Sequence, residues 1–511
     1  MTGWEVLARA AQPEAERLRA ALRSPRAQQL AWLRECLARN ASSEFGRRHG
    51  FDGVRTIDDY RRAVPIQRFE DVEPWVNRIA AGETAILTGD EVVAFESTGG
   101  SAGGRKFVPY TVLSLAAFRA ALLPWLGCLL SERPAIRSGR AYVAASPAMR
   151  EPEPQRRGRS VGLASEADYL GPDLSRALCD VLVAPLCATP DFEAWRDETL
   201  LALLCAPDLT MISVWSPTFL LRLLDGIDER REQLLCMLKR RSEHAVAERL
   251  EGRAAARQQD LRDLWPQLDT ISMWTDAASA EYADQVRRRF PGVHVDRKAL
   301  LATETPMTVR LDQSREGAVP ALTSAFLEFL RRDGSECIAD ELREGEVYRV
   351  VVTTPGGLYR YDIGDEVLCC AVDGVIPDLR FIGRAGVVSD LVGEKLTESF
   401  VSSVLGGLGT PVAIAPQRTD SPFYEIWVDG NEFDPGGLEE RIDRLLGRNP
   451  QYAYARKLGQ LGAPRAVFCA GVHEYRRAAL VARGARWGDV KPTALVIDRS
   501  TLPSVQGRTT T

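Results

Sequence analysis

The sequence contains a glycine-rich stretch that combines hydroxyls with two cations. It reads STGGSAGGRK over residues 97–106 and follows the apolar run Val92-Val93-Ala94-Phe95. Glycines let backbone N–H groups come close to a ligand. Hydroxyls and cations beside such N–H groups favour a bound anion, usually phosphate. The stretch is therefore a candidate phosphate-binding loop.

A second interpretation of this loop is a nucleophile elbow. Residues 99–103 satisfy the G-x-S-x-G pattern of α/β-hydrolases, with Ser101 as the nucleophile. The strict P-loop pattern fails, because Lys106 is followed by phenylalanine rather than serine or threonine. Three observations argue against a hydrolase. No His-Gly-Gly-Gly oxyanion segment lies upstream, and residues 105–109 predict a strand where an elbow serine would begin a helix. Neither His294 nor His473 lies in a recognisable triad context. A purely structural turn is the third interpretation.

Two later clusters add carboxylates to this picture. Glu304 lies in LLATETP, residues 300–306, where hydroxyls flank it after an apolar strand. Such a carboxylate suits Mg²⁺, which prefers oxygen ligands and bridges to phosphates, although a turn or capping glutamate fits the same pattern. Asp365 lies in RYDIGDEV, residues 360–367, at a predicted turn between two strands where a carboxylate can accept both hydroxyls of a ribose. Arg384 follows the next strand and can donate in a fork to the sugar or a phosphate.

Composition limits the class of protein. The chain has 511 residues, of which 45% are hydrophobic and 26% charged, as expected for a globular protein of two or more domains. A net charge of −5 argues against binding to nucleic acid or a membrane surface. The ten cysteines show no CxxC spacing, and Val112–Leu130, the most apolar stretch, contains Arg119 and Pro124 and predicts a core helix. We predict a soluble, cytoplasmic protein that is a monomer or weak dimer.

The elements that position these clusters alternate between helices and strands. Such alternation predicts an α/β protein with layered sheets. The predicted segments are a helix over Trp4–Asn40, a strand over Leu209–Trp215 followed by a helix over Phe219–Leu224, and strands over Thr270–Trp274, Val293–Val295 and Val347–Thr353.

In this order the motifs resemble the adenylate-forming ligases, and specifically the auxin-responsive Gretchen-Hagen-type acyl acid amido synthetases, of which the chain looks like a bacterial-type member. The resemblance covers nearly the whole chain. Besides the clusters above, it includes FGRRHGF at 45–51, VPI at 64–66, WSPTFL at 215–220, GEKLTE at 393–398, NPQY at 449–452 and WGDVKP at 487–492. Two positions depart from the family pattern: Gly100 replaces a threonine, and Thr493 replaces an arginine.

The resemblance implies a fold and a reaction. Residues 1–384 would form a large domain with layered sheets that binds ATP and the acid, and residues 385–511 a small, mobile α/β lid. A carboxylate would attack the α-phosphorus of ATP to give an acyl-adenylate and pyrophosphate, and an amine or amino acid would then displace AMP. A serine hydrolase using Ser101 and a non-catalytic acyl- or nucleotide-binding homologue are the alternatives.

The resemblance also implies a role for individual residues. Those matching the triphosphate loop are Ser97, Thr98, Gly99, Ser101 and Lys106. Ala302, after Leu301, would line the adenine, while Thr303 and Glu304 would bind phosphate and Mg²⁺. Asp365 matches the ribose-binding aspartate, and Arg384 lies at the turn into the lid.

Lys491 matches the lid lysine of the family, and Lys395 matches a second lysine close to the nucleotide. The predicted catalytic residues are therefore Lys491, Lys395 and Glu304. Trp215, Tyr110 and Trp274 are candidates for contact with the acid, although each could equally be ordinary core.

Overall fold

A computed structural model describes most of the chain. The described residues are 2–99, 105–144, 160–161, 166–183, 192–256, 260–389, 391–392, 394, 396–406, 408, 412–419, 421–430, 437–457, 461–485 and 490–504.

The helices of the described part include both long core helices and short surface helices. They are α1 Gly3–Arg23, α2 Pro25–Asn40, α3 Glu44–Arg48, α4 Ile57–Ala63, α5 Phe69–Ala80, α6 Val112–Glu132, α7 Pro172–Cys179, α8 Phe192–Leu204, α9 Pro217–Glu229, α10 Arg231–Arg240, α11 His244–Ala256, α12 Ala280–Arg289, α13 Glu398–Leu405, α14 Leu438–Leu446, α15 Pro450–Lys457 and α16 Val472–Ala482.

The strands of the described part form several separate sheets. They are β1 Val92–Gly99, β2 Arg105–Thr111, β3 Arg140–Ala144, β4 Ser160–Val161, β5 Leu209–Val214, β6 Thr270–Met273, β7 His294–Arg297, β8 Thr308–Val309, β9 Val319–Pro320, β10 Phe326–Leu330, β11 Glu336–Cys337, β12 Val347–Thr353, β13 Tyr361–Asp373, β14 Ile376–Arg384, β15 Val388–Ser389, β16 Leu396–Thr397, β17 Val412–Gln417, β18 Phe423–Val428 and β19 Arg465–Phe468.

A parallel sheet has the strand order β3-β5-β6-β7, and the candidate residues Trp215 and Trp274 directly follow two of its strands. Alternate residues of a strand point to opposite faces. Ile212 and Ile271 pack on one face into an apolar core with α8, α9 and α12. The opposite face is more polar near β7, where Ser272 is paired in register with Asp296. The predicted α/β class with layered sheets is confirmed.

An antiparallel sheet has the strand order β11-β10-β12-β13-β14, and it contains the candidate residues Asp365 and Arg384. Arg360, one residue before β13, is 2% exposed and has a left-handed φ of 47°. Its guanidinium forms ion pairs with Glu328 and Glu336 and donates to the carbonyls of Arg61 and Val64. This side chain therefore ties the N-terminal helical segment to the sheet beside the start of β13.

Helix α6 joins two cores. By length and composition it is apolar enough to cross a membrane, and it is the one described helix that is. In the structure it packs as a core helix, as predicted: Phe118 belongs to the core around the antiparallel sheet, and Leu126 to the core shared with α1 and α7. Gly127 allows the close approach of α1, because a Cβ there would lie 2.8 Å from that of Ala11.

One predicted helix is divided in two. The segment predicted as continuous over Trp4–Asn40 breaks at Ser24, where Pro25 begins α2. Proline cannot supply the N–H that a continuing helix needs, but it is tolerated at the first helical position. The prediction of one unbroken helix was therefore wrong at this point.

The residues after Arg384 have a core of their own. It is built on the sheet β17-β18-β19, and Ile414, Ile426 and Ile442 are completely buried in it. The boundary at 384 and the mobility of this region remain predictions.

Candidate active site

Residues that directly follow three neighbouring parallel strands lie together at one edge of the sheet. Trp215 follows β5, Trp274 follows β6 and Lys298 follows β7. The N–H of Trp274 donates to the carbonyl of Trp215 over 2.8 Å, and the two indole rings lie 5.8 Å apart between centroids. Ligands of open parallel sheets bind beyond the carboxyl ends of the strands. The two tryptophans predicted to contact the acid are thus neighbours where such a sheet binds its ligand.

Asp365 and Arg384 form an ion pair across two antiparallel strands. They are partners in the register of β13 and β14, and Arg384 Nε lies 2.9 Å from Asp365 Oδ1. Asp365 is buried, whereas almost half of the Arg384 side chain is exposed. The nearby Asp365 carboxylate raises the pKa of Arg384. Asp365 lies inside β13 rather than in the turn that the sequence predicted; the turn comes later, at Gly374.

A hydrogen bond from the buried Tyr110 supports the bend that contains Thr303 and Glu304. Leu301 and Pro306 form an isolated bridge that closes the bend, and Thr303 and Glu304 are half-buried at its tip. Tyr110 is completely buried, and its hydroxyl donates to the carbonyl of Thr303 over 2.6 Å. We therefore assign Tyr110 a supporting role beneath the bend, in place of the substrate contact predicted for it.

The bend and the ion pair belong to one site. Glu304 is close enough to Arg384 to contribute, after Asp365, to raising the pKa of the guanidinium. It also raises the pKa of Tyr361, although burial is the larger cause there. One carboxylate on the bend, one phenol at the start of β13 and the cation at the end of β14 therefore share one electrostatic environment.

The glycine-rich loop connects two strands of a hairpin. β1 and β2 are antiparallel, with Ser97 opposite Phe107, Thr98 opposite Lys106 and Gly99 opposite Arg105. Residues 100–104, including Ser101, lie outside the described residues. A nucleophile elbow passes from a strand into a helix, whereas this stretch passes from a strand into a strand. The hairpin therefore argues against the hydrolase interpretation and confirms the predicted second strand, which continues past Pro109 to Thr111.

Lys491 reaches this site from the C-terminal region. Its ammonium lies 4.8 Å from the ring centroid of Trp274 and 5.4 Å from that of Phe381. Phe381 is on β14, three residues before Arg384. A cation over an aromatic face is stabilised by the ring quadrupole. Lys491 thus lies between the indole pair and the strand that ends in the ion pair.

The segment that follows Lys491 is held by Glu398. The Glu398 carboxylate is 4% exposed, and it accepts from the N–H groups of Ala494 over 2.7 Å and Leu495 over 2.6 Å. Burial raises the pKa of Glu398, and the two N–H donors oppose this shift. Because Lys491 lies three residues before Ala494, this carboxylate fixes the base of the segment that carries the ammonium.

Glu394, the first glutamate of the GEKLTE motif that also contains Glu398, has a structural role as well. Glu394 is completely buried and accepts from the N–H groups of Leu391 and Val392, both over 2.8 Å, and from the hydroxyl of Tyr424. It therefore closes the turn through which the chain enters the C-terminal region. The predicted catalytic Lys395 lies outside the described residues.

Comparison with known proteins decides the family. Residues 14–295 match the GH3 family N-terminal domain, and residues 318–384 match the GH3 family central domain. The chain belongs to the GH3 family.

The proteins that the chain resembles have low sequence identity to it but a similar fold. A probable indole-3-acetic acid-amido synthetase GH3.12 from Oryza sativa subsp. japonica is 22% identical over 541 residues, covering 84% of each chain. The structure of AtGH3.15 acyl acid amido synthetase in complex with 2,4-DB has a TM-score of 0.82 at 17% identity, covering 97% of this chain and 95% of that one. A 2-hydroxyisobutyryl-CoA ligase in the postadenylation state has a TM-score of 0.57 at 13% identity, covering 92% and 89%. The GH3 chain therefore has the adenylate-forming ligase fold.

Sequence reasoning missed two residues of this GH3 site. Phe381 received no role, since nothing in the sequence places it beside a lysine more than a hundred residues later. Lys298 was missed although a signal for it existed: it comes three residues after the predicted strand Val293–Val295, near the strand end from which ligand-binding residues of parallel sheets come.

Proposed function

We propose that this GH3 protein activates a carboxylic acid with ATP and transfers the acyl group to an amine. The acid carboxylate attacks the α-phosphorus, which forms a mixed anhydride with AMP and expels pyrophosphate. The amine nitrogen then attacks the acyl carbon, the bond to AMP breaks, and the nitrogen loses a proton. The products are an amide, AMP and pyrophosphate.

One observation carries the proposal: Lys491 lies against both Trp274 and Phe381. On the Trp274 side are the indole pair and the carboxyl ends of the parallel strands, where an acid with a flat apolar body can stack. On the Phe381 side, β14 leads to Arg384 and the buried Asp365, which suit a ribose and its phosphates. This position supports the proposal that the ammonium acts where an acid carboxylate and an α-phosphate would meet.

In this arrangement Lys491 offsets the charge that builds up as the carboxylate approaches the phosphate. Fixed charges that need no reorganisation stabilise such a transition state most effectively. The C-terminal region that carries Lys491 would also exclude water, which would otherwise hydrolyse the acyl-adenylate. We propose that residues 385–511 act as this lid.

The donor set of the site fits Mg²⁺ bound together with phosphates. Among the residues that the structure describes, no group of three or more acidic, histidine or cysteine side chains could hold a metal ion. Mg²⁺ commonly uses one or two carboxylates together with substrate phosphates, and the half-buried Glu304 on its bend supplies one carboxylate. When bound, the ion would neutralise charge on the departing pyrophosphate.

The test is acid-dependent exchange of labelled pyrophosphate into ATP, run with a panel of carboxylic acids. Exchange that requires the acid, followed by AMP release on addition of amino acids or ammonia, supports the proposal. Labelling of Ser101 by a fluorophosphonate would favour the hydrolase instead. Stabilisation by ATP without exchange would indicate a protein that binds nucleotide but does not turn it over.

A further inference from the structure

Lys298 lies over one indole of the pair, Trp215, whereas Lys491 lies over the other, Trp274. Its ammonium is 4.7 Å from the ring centroid of Trp215 and 4.6 Å from that of Trp125 on α6. It also donates to the hydroxyl of Ser213 on β5 over 2.9 Å. Two aromatic faces and the hydrogen bond to Ser213 therefore restrict the side chain at the carboxyl end of β7.

The surroundings of Lys298 are built to hold polar groups. Asp296, two residues earlier on the same face of β7, is completely buried. Its Oδ2 accepts from the indole N–H of Trp125 over 3.1 Å and from the hydroxyl of Ser272 over 2.5 Å. The carboxylate therefore fixes the Trp125 ring on which Lys298 rests. A half-buried ammonium pre-organised in this way loses little side-chain entropy when it binds an anion.

The two lysines are connected by a continuous line of contacts. Lys298 lies 4.7 Å from Trp215, the Trp215 and Trp274 rings lie 5.8 Å apart, and Lys491 lies 4.8 Å from Trp274. An acid that places its reacting carboxylate near Lys491 and stacks along the indoles extends towards Lys298. The second cation then faces the distal end of the substrate.

We propose that Lys298 is a specificity-determining residue that binds a second carboxylate, so that the substrate is a dicarboxylic acid with a flat spacer. This inference rests on the proposed function, because it takes the Lys491 end as the reacting end. The Lys298 ammonium forms a charge-assisted hydrogen bond to the distal carboxylate, while the indoles contact the spacer.

The experiment compares pairs of acids that have the same shape but differ in the distal charge. Suitable pairs are 1,4-phenylenediacetic acid with (4-isobutylphenyl)acetic acid, and terephthalic acid with 4-isopropylbenzoic acid. The quantity measured is the ratio of kcat/KM for pyrophosphate exchange, dicarboxylate over monocarboxylate. The variants are Lys298→Met, which keeps the length but removes the charge, Lys298→Arg, which keeps the charge, and Lys239→Met as a control for an exposed lysine paired with Glu251.

We expect the wild-type protein to prefer the dicarboxylate of at least one pair. Lys298→Met should lower that ratio by about 30-fold or more, as for removal of one partner of a hydrogen-bonded charge pair. Lys298→Arg should retain most of the preference, and Lys239→Met all of it. Lys298→Glu should instead favour (4-aminomethylphenyl)acetic acid.

The two proposals fail in different ways. Wild-type exchange with the monocarboxylates but with neither dicarboxylate overturns the assignment of Lys298 and leaves the ligase activity standing. An unchanged ratio in Lys298→Met also overturns it. Absence of exchange with every acid, combined with no change in thermal stability on adding ATP, contradicts the proposed function itself.

Discussion

At the scale of single residues, the central feature is a lysine that belongs to one region of the chain and lies against aromatic rings of another. Lys491 contacts Trp274 and Phe381, and the two rings come from different sheets. A cation so positioned can stabilise charge that develops between those sheets. In the proposed function, the residue would connect the geometry of the site to the rate of the first half-reaction.

Replacing this lysine tests that connection. We expect Lys491→Ala to slow acid-dependent pyrophosphate exchange by about 10²–10³-fold, the usual effect of removing a preorganised transition-state donor. Binding of ATP should change much less, because Asp365 and Arg384, the proposed partners of the ribose, remain. Exchange kinetics and ATP titration measure the two effects separately. An exchange rate equal to that of the wild-type protein would remove Lys491 from the catalytic site.

Residue types were easier to predict from the sequence than the direction in which a side chain points. The Thr303 hydroxyl and the carboxylates of Glu304 and Asp365 could be recognised as candidate site chemistry from their neighbours. Tyr110 could not be assigned, because an aromatic residue in a strand looks the same whether it faces a substrate or supports a neighbouring bend. Only the tertiary contact with Thr303 distinguishes the two.

At the scale of elements, the site depends on how the segment after Lys491 is anchored. Ala494 and Leu495 continue the sheet beside β17, since the N–H of Ile414 donates to Ala494 and the N–H of Val496 donates to Ile414. Glu398, at the start of α13, accepts the N–H groups of Ala494 and Leu495. A helix N-terminus and a strand edge therefore hold the lysine-bearing segment together.

Glu398→Gln should loosen this anchor. One amide oxygen cannot accept both N–H groups well, and the new NH₂ group would face a donor. Loss of a hydrogen bond to a charged group costs about 1.5–3 kcal/mol. We expect kcat for exchange to fall about tenfold or more while KM for ATP stays within about threefold, since the anchor acts through Lys491 rather than on the nucleotide.

The control for this variant is Glu439→Gln. Glu439 also accepts a backbone N–H, that of Ala466 over 2.6 Å, in the same C-terminal region but at an exposed position. It should leave kcat unchanged. A parallel rise of KM and fall of kcat in Glu398→Gln would point to general unfolding of the region instead of a displaced lysine.

Element types were predictable from the sequence where periodicity and termini agreed. The strand over Val347–Thr353 was predicted with its observed bounds. The helix predicted over Phe219–Leu224 is present but longer, Pro217–Glu229, and it begins at Pro217, where proline at the first turn is favoured. The position of Asp365 within a strand was not predictable. Gly364, with φ of 80°, is typical of a turn, yet here it lies within β13 at an irregularity in the pairing with β12, and the pairing with β14 begins at the next residue, Asp365.

At the scale of the whole molecule, Asp276 is buried where separate sheets meet, since Arg297 on β7 and Arg380 on β14 both act on its charge. Asp276 follows Trp274 by two residues, and its Oδ1 lies 3.5 Å from Arg297 Nη1. Burial raises the pKa of Asp276 to about 6, and the attraction of Arg297 only partly opposes this. The folded protein thus binds a proton here more tightly than the unfolded chain does.

The sign of the resulting pH dependence follows from that difference. The folded pKa of about 6 lies above the usual value of 3.8, so the unfolded chain releases the proton first. Stability from this group is fully present below about pH 4 and is lost as the pH rises through 6. At about 1.4 kcal/mol for each pKa unit, the loss amounts to about 3 kcal/mol at pH 8.

Asp276→Asn removes the titrating proton and should therefore flatten this part of the profile. We expect the variant to unfold at a higher temperature than the wild-type protein at pH 8, with a smaller difference at pH 5.

Asp269→Asn is the matched control of opposite sign. Burial raises the pKa of Asp269, but Arg133 and Thr270 lower it more, so that the pKa ends below its usual value. That group contributes stability above its unfolded pKa, and Asp269→Asn should destabilise the protein at pH 8. Thermal unfolding of the three proteins at both pH values measures the contrast, and equal shifts for the two variants would show that burial at Asp276 does not disfavour its charge.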